Sequence, residues 1–358
     1  MGEWLQGRLQ ATIARIQPLD NVAMALARAR QDALTKPQGS LGRLEELSLQ
    51  LAGITAQPLP QVGRKVIFTM AGDHGVVAER VSAFPQEVTP QMVYNFLRGG
   101  AAINVLARQV GARVVVVDMG VAAGLEPHPD LIVKKVALGT RNIAASPAMT
   151  REQALQALLA GIEVLEEELP KGVDIVGTGD MGIGNTTPSA AIAAAFTGRP
   201  AADIVGRGTG VDDAGLARKV AAVEKALAAN KPNPADALDV LAKVGGFEIG
   251  GLAGLILSAA AHRLPVIIDG FISGAAAMIA VSLAPQARLY IIASHRSQER
   301  GHQIMLEWLG LKPLLDLDLR LGEGTGAALA MSLAEAACRI LAEMATFSEA
   351  GVAEKSAS

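Results

Sequence analysis

The sequence contains little cysteine, few aromatic residues and no surplus of positive charge. Its single cysteine, Cys338, excludes an internal disulfide framework and fits a reducing compartment. Aromatic residues make up only 3% of the 358 residues, so a core has to be built from alanine, valine, leucine and isoleucine. The formal net charge of −3 leaves no basic excess to neutralise a phosphate backbone, and we therefore expect no nucleic-acid partner.

Apolar runs offer little support for a membrane-spanning helix, although the mean hydropathy is +0.32. Segment 250–261 is too short for the ~30 Å hydrocarbon core of a bilayer. Segment 265–285 is long enough, but it divides into a buried strand that ends at Asp269 and a helix of small residues. A membrane span would leave Asp269 without a partner, and the charged N-terminus lacks the apolar run of a signal peptide. We expect a cytoplasmic protein with no membrane partner.

Both ends of the chain carry helical patterns. Apolar residues make up 50% of the chain and charged residues 19%, which excludes a disordered protein, and the length suggests about two domains. Apolar residues recur at helical spacing from Leu5 to Ile16 and from Leu41 to Ile54, and segment 326–347 predicts a long alanine-rich helix. We predict a small helical domain built from 1–60 and 327–358, and a large domain over 61–326.

The middle of the chain alternates short runs of valine and isoleucine with helical patterns. Six such runs end in polar clusters rich in glycine: 65–71, 113–117, 173–176, 266–268, 289–292 and 314–321. They predict an α/β fold, a Rossmann-like parallel sheet with helices on both faces. Open α/β sheets bind ligands at the carboxyl ends of their strands. One polar cluster could be an ordinary turn, but six at the same edge predict a shared site.

The densest cluster, 177–188, is typical of an anion site. Its glycines allow backbone N–H groups to approach a ligand, and Thr186 or Thr187 is the expected N-cap of a helix with Pro188 at its first position. The N-terminus of that helix would attract a phosphate. The lysine of a Walker A loop is missing, and the G-x-G-x-x-G match at 177–182 lacks the acidic residue that dinucleotide sites carry about 20 residues further on.

Two further clusters contain charged candidates. Arg207 lies in a glycine-rich loop, Asp212 is the expected cap of the next helix, and Lys219 on that helix would ordinarily be a solvated surface residue. Glu323 lies between Gly322 and Gly324 before a helix, where an acidic residue is usually a partner of the helix dipole. The same setting also allows Glu323 to be a partly desolvated general base with a raised pKa. The sequence does not decide between these two roles. The five histidines show no metal-binding spacing, and we expect no metal.

Six motifs, in order along the chain, resemble the nicotinate-nucleotide–dimethylbenzimidazole phosphoribosyltransferase family. They are 36–45, 71–76, 182–188, 243–248, 264–271 and 320–324, and the resemblance extends from about Lys36 to about Met344. It implies a homodimer with a Rossmann-like α/β domain and a small helical domain, and no cofactor. The implied reaction transfers the 5-phosphoribosyl group from nicotinate mononucleotide to 5,6-dimethylbenzimidazole, giving α-ribazole 5′-phosphate and nicotinate, a step in making the lower-ligand nucleotide of cobalamin.

The resemblance also implies roles for individual residues. Glu323 falls on the catalytic base, Lys219 on the helix lysine, and Asp180 on a second carboxylate that is often glutamate and therefore one methylene longer. The other expected substrate-binding residues are Phe84, Met92, Met181, Gly182, Gly184, Asn185, Thr186, Arg207, Asp269, Ser294, Arg320, Leu321 and Gly322. Two alternatives stay open, an NAD-dependent oxidoreductase and a non-catalytic nucleotide-binding relative.

Overall fold

Six parallel strands form one sheet at the centre of the protein, in the order β3-β2-β1-β4-β5-β6. The computed structural model describes residues 2–353. The strands are β1 (Lys65–Gly72), β2 (Ala112–Gly120), β3 (Leu131–Val133), β4 (Ile175–Met181), β5 (Val266–Ile268) and β6 (Ile291–Ala293). The order reverses between β1 and β4, and this is the point at which doubly wound sheets bind their ligands. The predicted α/β class with a Rossmann-like parallel sheet is confirmed.

Fifteen α-helices surround the sheet within the described residues. They are α1 (Gly2–Ala14), α2 (Asn21–Ala33), α3 (Arg43–Thr55), α4 (Val88–Leu97), α5 (Ala102–Val110), α6 (Arg151–Glu168), α7 (Thr186–Thr197), α8 (Ala201–Ile204), α9 (Asp213–Asn230), α10 (Ala237–Val244), α11 (Phe247–Ala261), α12 (Phe271–Leu283), α13 (His302–Leu309), α14 (Thr325–Glu343) and α15 (Phe347–Ala350). Short 3-10 turns occupy Gly75–Glu79, Leu169–Lys171 and Pro285–Tyr290.

The predicted strand at 314–321 is wrong, and strand β3 was not predicted. Leu315 makes only an isolated bridge to His295, because the segment runs along a loop rather than beside a strand and Asp318 interrupts it with a φ of 55°. Strand β3 is only three residues long and exists because Val116–Asp118 of β2 offers it a free edge. Its sequence pattern was too short to detect.

The apolar segments that raised the membrane question are core elements. Segment 250–261 lies within α11, which packs between α6 and α12, and segment 265–285 contains β5 and α12. Among the described residues, α14 alone has the length and apolarity of a membrane-crossing helix, and 56% of its most apolar window is buried. It packs against α3, α5 and strands β4 and β5. Burial raises the pKa of the Cys338 thiol on this helix to about 12, so the thiol stays protonated.

The two terminal segments meet in space, as a helical domain built from both ends requires. Helix α14 packs against α2 and α3 as well as the sheet. The division into 1–60 with 327–358 and 61–326 stays a prediction, and Met1 and residues 354–358 lie outside the described residues.

Candidate active site

A cavity of about 400 Å³ lies at the carboxyl ends of the strands. Its size suits a small organic substrate. It is lined by Phe84, Val88, Met92, Asp180, Met181, Gly182, Ile183, Asn185, Thr186, Gly208, Thr209, Gly270, Phe271, Ile272, His295, Ser297, Glu299, Arg320, Leu321, Gly322 and Glu323. Loops that follow β4, β5 and β6 therefore meet at one edge of the sheet.

The backbone of Glu323 connects the two strands at which the sheet order reverses. Its N–H donates to the carbonyl of Asp180 on β4 at 3.2 Å, and its carbonyl accepts from the Thr69 hydroxyl on β1 at 2.9 Å. The residue adopts a φ of 63°, a left-handed conformation that is uncommon outside glycine. Gly179 allows this close approach, because a Cβ there would lie 2.2 Å from the Glu323 carbonyl oxygen.

The side chain of Glu323 is a desolvated acid at the wall of the cavity. The residue is only 5% exposed, and Oε2 accepts a long hydrogen bond of 3.4 Å from the Ile103 N–H in the first turn of α5. Burial raises the pKa of Glu323, and the Ile103 hydrogen bond opposes that shift. Desolvation therefore outweighs this backbone hydrogen bond.

Asp180 is the second carboxyl group of the cavity. Asn185 Nδ2 donates to its Oδ2 at 2.9 Å, while Oδ1 is buried without a hydrogen-bond partner. Burial raises the pKa of Asp180 well above its usual range, and the negative charges of Asp269, Glu248 and Glu323 raise it further. Asp180 thus holds a proton more readily than an ordinary aspartate.

Asp269 holds the helix that follows Glu323. Its carboxylate accepts hydrogen bonds from Gly324 N at 2.9 Å and Gly326 N at 2.8 Å, which supplies the cap that α14 lacks in its own sequence. Burial raises the pKa of Asp269 to about 7, and these backbone donors oppose the shift. The residue is fully buried and does not line the cavity.

A buried lysine lies behind the N-terminus of α7. Lys219 is 1% exposed, and its Nζ donates to Thr186 Oγ1 at 3.0 Å and to the Gly206 carbonyl at 2.9 Å. A third donor remains on the ammonium group. Burial lowers the pKa of Lys219 to about 8, and the charge of Glu299 opposes that shift. The cation and the helix N-terminus together favour an anion at the start of α7, and we refer to this region as the candidate anion site.

The start of α7 differs from the prediction in two details. The N-cap is Asn185 rather than Thr186 or Thr187, because the Asn185 side chain bonds Asp180 and Thr186 already belongs to the helix. Pro188 is therefore the third helical residue and not the first. The other predicted cap is confirmed, since Asp212 accepts from Gly215 N at the start of α9.

Part of the cavity lining is apolar, and two of its side chains are exposed. Phe84 is 51% exposed and Leu321 is 57% exposed, and Val88 and Met92 on α4 continue the wall inward. A flat apolar ring placed between these side chains would cover them, at a gain of roughly 25 cal/mol per Å² of apolar surface removed from water.

The structure brings eleven of the sixteen predicted site residues to the cavity and places five elsewhere. The five are Gly184, Arg207, Lys219, Asp269 and Ser294. Gly184 forms the turn before α7, and Lys219 lies beneath Thr186. The guanidinium group of Arg207 bonds the Val211 carbonyl at 3.0 Å and the Asp213 carboxylate, so it is turned away from the anion site in which we expected it.

Sequence reasoning missed His295, Ser297 and Glu299, which line the cavity. They follow β6, and the polar cluster 293–296 at the end of this strand indicates a site. The sequence does not show that the loop continues along the cavity wall as far as Glu299. Among residues 2–353, no group of three histidine, cysteine or acidic side chains is arranged to hold a metal ion.

Comparison with known proteins agrees with this geometry. A family profile described as phosphoribosyltransferase (DBI_PRT) matches residues 16–352. The nicotinate-nucleotide–dimethylbenzimidazole phosphoribosyltransferase of Roseiflexus sp. (strain RS-1) is 64% identical over 347 residues, 97% of this chain and 98% of that protein. Its namesake from Desulforudis audaxviator (strain MP104C) is 63% identical over 346 residues, with 97% and 98% coverage. The crystal structure of CobT from Thermus thermophilus has a TM-score of 0.90 and 52% identity, covering 93% of this chain and 100% of that one.

The parallel sheet, the anion site and the desolvated carboxylate, together with these matches, define an enzyme of the phosphoribosyltransferase class. The chain belongs to the nicotinate-nucleotide–dimethylbenzimidazole phosphoribosyltransferase family.

Proposed function

We propose that this enzyme transfers the 5-phosphoribosyl group from nicotinate mononucleotide to 5,6-dimethylbenzimidazole, giving α-ribazole 5′-phosphate and nicotinate, in the synthesis of the lower-ligand nucleotide of cobalamin. The observation that carries the proposal is the position of the Glu323 carboxylate. It lies in a cavity with an apolar wall for a methylated ring at one side and an anion site at the other. The names of the relatives state the same two substrates.

The reaction needs one bond to break and one to form at the ribosyl C1′. The C1′–N bond to the pyridinium ring breaks, and its electron pair returns to the nicotinate nitrogen. A ring nitrogen of dimethylbenzimidazole attacks C1′ from the opposite face, so the β configuration becomes α. Attack makes the N–H at the other ring nitrogen acidic. Glu323 accepts this proton as general base, and holding the two rings in line supplies much of the acceleration.

The two carboxyl groups have different roles in this scheme. Burial raises the pKa of both groups, and the negative charges of Asp269, Glu248 and Glu323 help to raise that of Asp180 well above its usual range. We assign the held proton to Asp180 and the role of base to Glu323. Neutral Asp180 faces the ring without adding a second negative charge beside a nicotinate carboxylate.

The anion site binds the end of the substrate that does not react. At the start of α7 the Thr187 N–H already donates to the Gly184 carbonyl at 3.1 Å and Pro188 has no N–H, so Thr186 and the positive charge of Lys219 behind it are the groups that would hold the phosphate. Binding energy from the 5′-phosphate can then be used to orient C1′. Arg320 donates to the Gly208 carbonyl at 2.9 Å and fixes the loop that closes this end of the cavity.

The enzyme is further proposed to act as a cytoplasmic homodimer, without nucleic-acid or membrane partners. The exposed apolar side chains of Phe84 and Leu321 at the cavity rim, and of Leu317 outside the cavity lining, favour a surface that is covered in the working enzyme. Light scattering on the purified protein at micromolar concentration gives the mass directly. Twice the 36.9 kDa chain mass supports the dimer, and a single chain mass rejects it.

Product analysis tests the reaction. Purified protein is incubated with nicotinate mononucleotide and dimethylbenzimidazole, and the products are identified by mass and by the anomeric proton coupling in NMR. We expect α-ribazole 5′-phosphate and nicotinate in equal amounts. A protein that binds the nucleotide and forms no product is a non-catalytic relative. Binding of NAD with hydride transfer would support the oxidoreductase instead.

A further inference from the structure

His295 is a cavity-lining residue with no role in the scheme above. It follows β6 in the loop that continues to Glu299, and it is 2% exposed. Burial lowers the pKa of His295 to about 4, so the imidazole is neutral at pH 7. A neutral imidazole has one nitrogen that donates and one that accepts, and the neighbours decide which is which.

Ser294 decides the tautomer of His295. The Ser294 hydroxyl donates its only proton to the Asp269 carbonyl at 2.9 Å, because a carbonyl oxygen can only accept. The same hydroxyl oxygen lies 2.9 Å from His295 Nδ1, so it must accept from an Nδ1–H group. The Asp269 carboxylate, 3.7 Å from Nδ1, favours the same tautomer. Nε2 therefore carries a lone pair and no proton.

The position of the ring directs this lone pair to the substrate side. The Nδ1 side is packed against α14, where a Cβ on Gly326 would lie 2.0 Å from Nδ1. The Nε2 side lies opposite Gly270, 3.7 Å from the ideal Cβ position of that cavity-lining residue. No described residue hydrogen-bonds Nε2, and Nε2 is not sealed by protein. No hydrogen bond joins it to the His302 ring, whose centroid lies 6.2 Å from that of His295.

We infer that His295 Nε2 accepts a hydrogen bond from a ribose hydroxyl of the bound nucleotide. The inference rests on the proposed function, and the inventory of donors on the two substrates supports it. The phosphate and the nicotinate carboxylate only accept, and the N–H of dimethylbenzimidazole is assigned to Glu323. The ribose hydroxyls are the remaining donors. An uncharged acceptor binds them without repelling the phosphate, which a carboxylate would do.

The test uses His295→Asn and three nucleotides. Asparagine keeps an N–H near the Nδ1 position for Ser294 but has no acceptor at the position of Nε2. The donors are nicotinate mononucleotide and its 2′-deoxy and 3′-deoxy analogues, each with dimethylbenzimidazole. We expect His295→Asn to lower kcat/KM about 10-fold with the ribosyl donor. With the analogue that lacks the bonded hydroxyl, we expect a change of less than about 2-fold, since no bond remains to be lost.

Comparing variants on the same donor cancels the intrinsic reactivity of each sugar. An equal loss on all three donors shows a merely structural role and overturns the inference. His128→Asn, at an exposed histidine outside the cavity, is the matched control and leaves all three rates unchanged. His295→Gln, whose amide oxygen can reach the position of Nε2, restores most of the activity with the ribosyl donor.

Calorimetry on the unaltered enzyme covers the case in which His295→Asn does not fold. At least one deoxy analogue is expected to bind about 10-fold more weakly than nicotinate mononucleotide, and equal Kd values for all three overturn the inference. Failure of the proposed function looks different, because the enzyme would then form no ribazole product from any donor.

Discussion

At the scale of single residues, two buried carboxyl groups line one cavity in different surroundings. Burial raises the pKa of Glu323 and one backbone donor opposes that shift, whereas burial and three neighbouring acids raise the pKa of Asp180 well above its usual range. Two acids in different surroundings commonly divide the roles of acid and base, and we propose Glu323 as the base.

Replacing Glu323 by glutamine removes the proposed base and keeps the shape of the side chain. We expect Glu323→Gln to lower kcat by roughly 10²–10⁴-fold, with Kd for nicotinate mononucleotide nearly unchanged. Steady-state rates and calorimetry measure the two quantities. Glu343→Gln, at an exposed glutamate at the end of α14, is the matched control. If kcat of Glu323→Gln is within a few-fold of that of the unaltered enzyme, Glu323 is not the base.

The lowered pKa of Lys219 leads us to expect that kcat/KM falls at alkaline pH. Burial lowers its pKa to about 8, so in the free enzyme the cation is present below pH 8 and is lost as pH rises. We expect kcat/KM for nicotinate mononucleotide to fall above about pH 8, since kcat/KM reports groups of the free enzyme. Lys219→Arg keeps its charge at all accessible pH values and should abolish this alkaline limb.

The matched control for Lys219 is Lys225→Arg, at an exposed lysine on the same helix, which leaves the profile unaltered. Lys219→Ala should raise KM for the nucleotide more than KM for the base. If the fall in kcat/KM above about pH 8 persists in Lys219→Arg, Lys219 does not bind the phosphate. An equal rise of both KM values in Lys219→Ala would lead to the same conclusion.

At the scale of elements, the position of Glu323 depends on two neighbours that hold its turn. Strand β4 carries Gly179 beneath the turn, and Asp269 at the end of β5 ties the turn to the start of α14. The turn cannot shift without breaking these contacts. The left-handed φ of Glu323 is maintained in this way.

A methyl group at position 179 tests this arrangement. In Gly179→Ala the new Cβ would lie 2.2 Å from the Glu323 carbonyl oxygen, so the turn must move. We expect kcat/KM to fall about 100-fold, the effect of a displacement near 1 Å, and stability to fall by about 1–3 kcal/mol. Gly63→Ala, where the nearest atom is 4.0 Å away, is the control. Unchanged turnover in Gly179→Ala would show that the turn tolerates displacement.

Local pattern was enough to predict elements that carry their own signal. Strand β1, the first helices and the Asp212 cap follow from apolar periodicity and capping chemistry. Features that depend on contacts with another segment of the chain could not be predicted from local pattern. Strand β3 needs the edge of β2, and Arg207 turns towards Asp213 rather than the cavity. The tautomer of His295 depends on contacts with Ser294 and Asp269, which only the folded chain brings together.

At the scale of the whole molecule, the reversal of strand order between β1 and β4 determines where the candidate site lies. Both strands hold the backbone of Glu323, and loops after β4, β5 and β6 complete the cavity. The G-x-G-x-x-G match at 177–182 lies largely within β4 rather than in a loop over a pyrophosphate. The site therefore fits a mononucleotide and a separate ring better than a dinucleotide.

A crystal structure of the enzyme with its products is the most direct test of this account. In a complex with α-ribazole 5′-phosphate and nicotinate, we expect a Glu323 carboxylate oxygen about 2.6–3.2 Å from the unsubstituted nitrogen of the benzimidazole ring, with the phosphate at the start of α7 beside Lys219. A ring bound elsewhere, or a Glu323 side chain directed away from both compounds, would contradict it.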